Sequence, residues 1–253
     1  MMERLLERQA LSYADYRALD RDPHAPEAAQ TRLQAWAAAR RLGWETEGER
    51  RWRIHGAEVD VVLEWTTGSL FDAIELPSDR DLVVAHAFLD LVDLERALPL
   101  LFATLNPGGL FYFTHTFDGL TAFLPEIDAA LDEAVINAYH DSMDLRREDG
   151  RPTAGSRAGR RLLQELHGRG ARLLDIGSSD WIVFPKPGGY EQEEEAFLNA
   201  MVDFVEGAVG DDPRIDPGTL RRWVERRRSQ IRSAELTFLA HQIDIVGRIG
   251  TAG

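Results

Sequence analysis

The segment that most constrains the fold is residues 81–119, with the sequence DLVVAHAFLDLVDLERALPLLFATLNPGGLFYFTHTFDG. Its beginning, residues 82–85, is a continuous apolar run typical of a parallel strand that is covered on both faces. Apolar residues then recur at helical spacing, at Leu94, Ala97, Leu98, Leu101 and Leu105. Pro107 and the glycines after it end that helix, and residues 110–113 form a second apolar strand. This order predicts a right-handed β–α–β unit with parallel strands.

Segments on either side alternate between strand-like and helix-like patterns. Strand patterns occur at residues 13–19, 58–64, 171–185 and 235–246. Helix patterns occur at residues 26–43, 127–143, 156–168, 191–209 and 217–232. This alternation predicts an α/β fold, with a doubly wound, mostly parallel open sheet and helices on both faces. Residues 58–64 alternate between apolar and acidic side chains, which predicts a half-exposed edge strand.

Length and composition set the class of protein. The 253 residues are predicted to form one domain, with a helical insertion at about residues 190–232. The absence of cysteine excludes disulfides, thiolate metal sites and a cysteine nucleophile. We find neither an apolar run of about eighteen residues nor a secretory signal pattern, so we expect a soluble, cytoplasmic protein. The oligomeric state cannot be derived from these patterns.

Net charge argues against nucleic acid as a partner. The chain carries 43 acidic and 29 basic residues, a formal charge of −14, and such a chain repels polyphosphate. The basic segment at residues 221–232 also has a buried stripe, so its arginines are interpreted as a solvated helix face. No pair of histidines has metal-ligand spacing, and we expect no metal.

In open α/β sheets, ligands bind beyond the carboxyl ends of the strands. This rule places function at Asp20 and at residues 68–70, 86–90 and 115–119. His115 and Asp118 are candidates for a catalytic pair that removes a proton from an acceptor. The alternative is a polar loop without catalytic function, and no catalytic residue is assigned.

Residues 81–119 resemble the central part of class I S-adenosylmethionine-dependent methyltransferases. In that family a strand ends in a loop beside the methionine moiety, and a helix, a Pro-Gly-Gly turn and the next strand follow. The resemblance extends back to the sequence YRALDRDP, where Asp20 matches the acid that binds the ribose hydroxyls of the cofactor. It extends forward to the closing antiparallel strands, and covers about residues 13–117 and 171–246.

The resemblance implies S-adenosylmethionine as cofactor and methyl transfer to a small-molecule acceptor. The positions that it assigns to cofactor binding are Asp20, Arg21, Ser69, Leu70, His86, Ala87 and Phe88. In-line positioning of the acceptor can supply most of the rate of methyl transfer, so the reaction does not require a catalytic base. The helical insertion is expected to shape the acceptor site.

The chain departs from the family at its start, because no first strand and no glycine-rich turn precede Asp20. Residues 173–181, LLDIGSSDW, look superficially like that turn, but a cofactor turn must open a helix. A strand pattern follows instead, which predicts a bend within antiparallel sheet. We therefore hypothesise an N-terminal truncation, and leave open whether the short form is active. A strand from this chain paired between the strands at residues 13–19 and 82–85 would contradict it.

Two other functions remain open. A non-catalytic, methyltransferase-like binding or regulatory protein would bind no cofactor. A nicotinamide-dependent oxidoreductase would share the sheet and the ribose-binding acid, but it also needs a glycine-rich turn and a proton relay. The sequence contains no convincing Tyr-x-x-x-Lys relay.

Overall fold

The computed structural model describes residues 1–72, 78–191 and 193–250. The chain forms two compact units, Met1–Leu76 and Pro77–Gly253, and each contains its own sheet. Helices and mixed sheets occur in both units, so the predicted α/β class is confirmed. The prediction of a single domain over residues 1–253 stays a prediction.

The first unit contains a four-stranded sheet and two helices. Its elements are α1 (Met2–Glu7), β1 (Tyr13–Asp20), α2 (Ala25–Ala39), β2 (Gly43–Gly48), β3 (Arg51–His55) and β4 (Asp60–Thr67). The strand order is β1-β4-β3-β2, with β1 and β4 parallel and β3 antiparallel to both neighbours. Apolar residues of the sheet and helices form its core, which includes Leu33, Ala37, Trp52, Ile54, Val61 and Leu63.

The predicted edge strand at residues 58–64 is an internal strand. The observed strand, β4, pairs with β1 on one side and with β3 on the other. The prediction was wrong because the β2–β3 hairpin was not recognised, and this hairpin supplies the second neighbour.

The second unit contains the β–α–β unit and the closing strands. Its elements are β5 (Arg80–His86), α3 (Leu94–Ala103), β6 (Leu105–Leu124), α4 (Ala129–Leu145), β7 (Arg147–Glu148), β8 (Arg151–Pro152), α5 (Ala158–Gly168), β9 (Arg172–Ser178), β10 (Trp181–Val183), α6 (Glu194–Val209), α7 (Pro217–Arg232) and β11 (Thr237–Arg248). Strands β5 and β6 are parallel, as predicted. Strand β11 is antiparallel to β6, β9 and β10, which confirms the closing strands.

The bend predicted between residues 173 and 181 is also confirmed. Strands β9 and β10 lie on either side of it, and both pair with β11. Strand β11 contains a bulge near His241, seen as a register shift in its pairing with β6 between Ala240 and Gln242. His241 is not a core residue, because its Nδ1 lies 2.7 Å from the Asp180 carboxylate and the side chain is partly exposed.

The strands lie in two sheets, where a single sheet was expected. Within the described residues, β1 pairs only with β4 and β5 pairs only with β6, and no strand pairs with both β1 and β5. Strand β5 was predicted to be covered on both faces, yet Leu82 is 36% exposed. The prediction of full cover therefore fails at Leu82. The truncation hypothesis stays a prediction.

Two apolar layers pack the second unit. Phe102 of α3 lies against Phe111 and Phe113 of β6, with ring centroids 5.5 and 6.4 Å apart, and α5 packs against β6 near Asp118. Helices α6 and α7 lie in the segment predicted to be a helical insertion, and they pack with α4 against the far end of β6 and β11. None of the helices in the described ranges is long and apolar enough to cross a bilayer.

Candidate functional site

In the first unit, Asp20 lies where the sequence predicts it, at the carboxyl end of β1. Strands β1 and β4 are parallel, with Asp20 opposite Thr67, so both strands end at the same edge of the sheet. The N–H of Gly68 donates to the backbone carbonyl of Asp20 at 2.9 Å, which holds the loop after β4 against the end of β1. Ser69 and the buried Leu70 follow in that loop. The structure therefore brings Asp20, Ser69 and Leu70 together.

The Asp20 carboxylate has one oxygen in use. Its Oδ1 accepts the N–H of Asp22 at 2.9 Å, which fixes the turn after β1. Within the described part of the chain, Oδ2 takes part in no hydrogen bond, and Asp20 and Arg21 are both exposed. An exposed carboxylate with one unbonded oxygen can accept hydrogen bonds from the hydroxyl groups of a ligand.

In the second unit, His86, Ala87 and Phe88 lie at the carboxyl end of β5. The N–H of Ala87 donates to the carbonyl of Thr114 at 2.9 Å, and His86 Nδ1 lies 2.6 Å from Thr114 Oγ1. Ala87 has a positive φ of 49° and turns the chain sharply after the strand. Phe88 is half-buried and precedes a short 3₁₀ turn, Leu89–Leu91.

His115 lies in β6 at a bulge, where the pairing with β11 shifts between Ile243 and Ile245. Its φ is +54°, a region that non-glycine residues rarely adopt. The backbone N–H of His115 donates to Asp244 Oδ1 at 2.8 Å, and Ser179 Oγ donates to the same oxygen at 2.6 Å. The side chain of Asp244 in β11 thus replaces a hydrogen bond between the two strands and stabilises the bulge. Bulges and strained residues of this kind often lie at functional sites.

The imidazole of His115 contacts three side chains. Trp181 Nε1 donates to His115 Nδ1 at 3.0 Å, and Gln242 Oε1 lies 3.0 Å from the same nitrogen. The ring of His86 meets the ring of His115 edge to face, with centroids 4.6 Å apart. The carboxyl end of β5 and the bulge in the middle of β6 therefore form one cluster with β10 and β11, and this cluster contains His86 and His115.

Asp118 has a different role from the one predicted. Its side chain is 7% exposed, and its carboxylate accepts the backbone N–H of Arg160 at 2.9 Å and Arg160 Nη2 at 2.8 Å. These bonds raise the pKa of Arg160 and tie the first turn of α5 to β6. The candidate pair of His115 and Asp118 is therefore corrected, since the Asp118 carboxylate is bound to Arg160 and the His115 ring to Trp181.

Sequence reasoning did not assign Gln242 or Asp244 to the site and did not select Trp181. The available signals were the break between β9 and β10 and the slip in the pattern of β11, which place these residues beside β6. Asp90 lies within the predicted segment 86–90, but sequence reasoning gave it no individual role. Its Oδ1 is buried without a hydrogen bond among the described residues, and burial raises the pKa of its carboxyl group. Groups of three or more potential metal ligands do not occur in the described ranges.

No family model and no curated protein matches the chain. A candidate methyltransferase from Bacillus halodurans C-125 is 11% identical, with 94% of this chain and 84% of that chain covered and a TM-score of 0.48. A candidate type II methyltransferase from Anaeromyxobacter dehalogenans is 18% identical, with coverage of 98% and 95% and a TM-score of 0.46. A SAM-dependent methyltransferase from Methanosarcina mazei is 12% identical, with coverage of 92% and 81% and a TM-score of 0.44. These similarities identify neither an acceptor nor a site residue.

Proposed function

We propose that the chain binds S-adenosylmethionine and transfers its methyl group to a small-molecule acceptor. The observation that carries the proposal is the end of β1, where the loop after β4 is bonded to the backbone of Asp20 and one carboxylate oxygen of Asp20 has no partner in the described residues. Neighbouring ribose hydroxyls need such an acceptor at the carboxyl end of a parallel strand. The resemblance in the sequence of residues 81–119 adds support for this family of reactions.

Each proposed contact has a chemical reason or follows from the resemblance. The Asp20 carboxylate accepts the ribose hydroxyls, with Arg21 beside it, and Ser69 and Leu70 flank the adenine. The resemblance assigns residues 86–88 to the methionine moiety. The bound cofactor supplies an electrophilic methyl group, and the protein holds the acceptor in line with it, so a catalytic base is not required.

Calorimetry with S-adenosylmethionine tests the proposal on this chain, on a version extended upstream in its reading frame, and on Asp20→Asn. The asparagine keeps the oxygen that accepts the Asp22 N–H, so the turn remains, but the carboxylate is lost. Hydrogen bonds to a charged group contribute about 1.5–3 kcal/mol, so we expect binding at least about tenfold weaker in Asp20→Asn. Asp211→Asn, an exposed aspartate of the second unit, is the matched control and keeps full affinity.

The outcomes separate the alternative functions. Binding of S-adenosylmethionine by the chain or by its extended version supports methyl transfer. Binding of a nicotinamide cofactor by either chain, without binding of S-adenosylmethionine, supports an oxidoreductase. Binding of neither cofactor supports a non-catalytic binding or regulatory protein. Equal affinity of the wild type and Asp20→Asn overturns the role of Asp20.

A further inference from the structure

We propose that His115 is a neutral hydrogen-bond donor, held by Trp181 as the Nε2–H tautomer, and that it binds a carbonyl or amide oxygen of a small neutral ligand. The inference rests on the proposed function only in that this ligand would be the methyl acceptor. The binding site itself is argued from the contacts of His115.

The tautomer follows from the chemistry of the indole. A tryptophan side chain can only donate, and Trp181 Nε1 lies 3.0 Å from His115 Nδ1. His115 Nδ1 must therefore be the acceptor, which places the ring proton on Nε2. Gln242 Oε1 also lies 3.0 Å from Nδ1, but an oxygen cannot donate, so it is a neighbour without a bond to this tautomer.

The proton on Nε2 is available to a ligand. Among the described residues, every hydrogen bond of the His115 side chain is made at Nδ1, and the residue is only half-buried. The backbone of His115 is fixed in a rarely adopted conformation by Asp244, which Ser179 holds in turn. Three strands thus position this imidazole, and such support of a strained residue is typical of binding and catalytic sites.

Charge selects the class of ligand. Asp244 Oδ1 lies 2.8 Å from the backbone nitrogen of His115, and no basic side chain in the described ranges pairs with this carboxylate. A second carboxylate, Asp180, lies in the turn before β10 and contacts His241. An anionic ligand would be repelled at this cluster, whereas a neutral carbonyl or amide is not. The rings of His86 and Trp181, with centroids 4.6 and 5.7 Å from that of His115, favour a planar ligand.

The first experiment measures the tautomer of His115 in the full chain, labelled with ¹⁵N-histidine, by long-range ¹H–¹⁵N correlation. The spectra are recorded at about pH 8, where an ordinary imidazole is neutral. The signals of His115 are assigned by their absence from His115→Gln. We expect the Nε2–H pattern in the wild type. In Trp181→Phe we expect Nδ1 to lose its donor and the Nδ1–H form to gain population, because Gln242 Oε1 is then its neighbour. Trp36→Phe, whose indole bonds to Glu7 in the first unit, is the matched control and leaves the spectrum unchanged.

The second experiment uses benzamide and benzoate, two planar probes of similar shape that differ in charge. We expect benzamide to shift the His115 signals and benzoate to bind more weakly. His115→Phe removes the donor, and binding of benzamide, followed by the shifts of neighbouring residues, becomes about tenfold weaker. His115→Gln restores an N–H near the position of Nε2 and retains binding.

Three results overturn the proposal: an Nδ1–H tautomer in the wild type, an unchanged His115 spectrum in Trp181→Phe, or equal benzamide affinity in His115→Phe. None of these measurements requires S-adenosylmethionine. The proposed function can therefore fail in calorimetry while the donor site stands, and the donor site can fail while the cofactor binds.

Discussion

Asp90 is a buried carboxyl group whose ionisation opposes folding. Its Oδ1 has no hydrogen bond in the described ranges, and burial raises its pKa. A raised pKa in the folded state means that the stabilising contribution is complete below the ordinary pKa of about 4 and is lost as the pH rises through the folded value. At neutral pH the buried charge therefore reduces the free energy of unfolding.

Asp90→Asn removes this charge and retains the shape of the side chain. We expect the free energy of unfolding at pH 7 to rise by about 1 kcal/mol, measured by urea denaturation. The gain should shrink as the pH falls through the raised pKa of Asp90, because its carboxyl group then binds a proton in the folded chain. The exposed Asp211→Asn serves as control and should change stability little. A loss of stability at pH 7, or a gain that does not depend on pH, would contradict this explanation.

The position of a single residue was predictable where residues close to it in the sequence determine the local structure. Asp20 could be placed because a strand pattern ends at an acidic turn, and the structure has it there. The partners of His115 could not, because Trp181 and Gln242 lie 66 and 127 positions further along the chain. Contacts at such separations depend on strand pairing, which local patterns do not determine.

Packing between strands gives a sharper test at the level of elements. Gly247 lies in β11 between β6 and β9, and a Cβ there would come within 2.3 Å of Phe111 Cζ and 2.8 Å of the Arg172 carbonyl. A Cβ added at Gly177 of β9 would have no atom within 4 Å. We expect Gly247→Ala to lower the free energy of unfolding by about 1–3 kcal/mol and Gly177→Ala to be nearly neutral, in thermal or urea unfolding. Equal effects of the two substitutions would show that the strands do not pack in this way.

Helices α4 and α7 are joined by a buried ion pair. Arg227 is 1% exposed, its Nη2 lies 2.5 Å from Asp132 Oδ1, and Trp223 Nε1 donates to the same oxygen at 2.6 Å. Asp132→Ala leaves the guanidinium buried without its charged partner, which costs about 3–5 kcal/mol in urea unfolding. Asp203→Ala removes a partner of the neighbouring Arg228 at the surface and should cost less than about 1 kcal/mol. Similar losses in both variants would rule out a special role for the buried pair.

The order of elements was largely predictable, but the β2–β3 hairpin was not. Its sequence, WETEGERRWRIH, alternates tryptophan, threonine and isoleucine with charged residues, and charged residues weaken a strand pattern. The structure shows how the charges are accommodated, because Arg53 binds Asp60 across the strands at 2.6 Å. Cross-strand ion pairs stabilise a sheet face that hydrophobic periodicity does not detect. The edge position predicted for β4 failed for the same reason.

At the scale of the whole molecule, charge determines which partners can approach. The formal charge is −14, and the basic segment at residues 221–232 is the strongest local exception. In α7, however, Arg227 binds Asp132 and Arg228 binds Asp203 and Glu206, so these arginines are already neutralised by nearby acids. Arg221, Arg222 and Arg232 of this helix have no acidic partner among the described residues, so the expectation against phosphate binding rests on the net charge of the chain.

We therefore expect no binding of a fluorescent DNA duplex at 50 mM salt, measured by anisotropy up to about 10 μM protein, well above the range of specific binding. The variant Asp203→Ala/Glu206→Ala removes the two surface partners of Arg228. We expect that it also does not bind the duplex, because the net charge of the chain still repels the phosphates. Non-specific binding through freed arginines would weaken steeply as salt rises from 50 to 200 mM. A rise in anisotropy with that salt dependence, in either protein, would show that the basic face of α7 overrides the field of the whole chain.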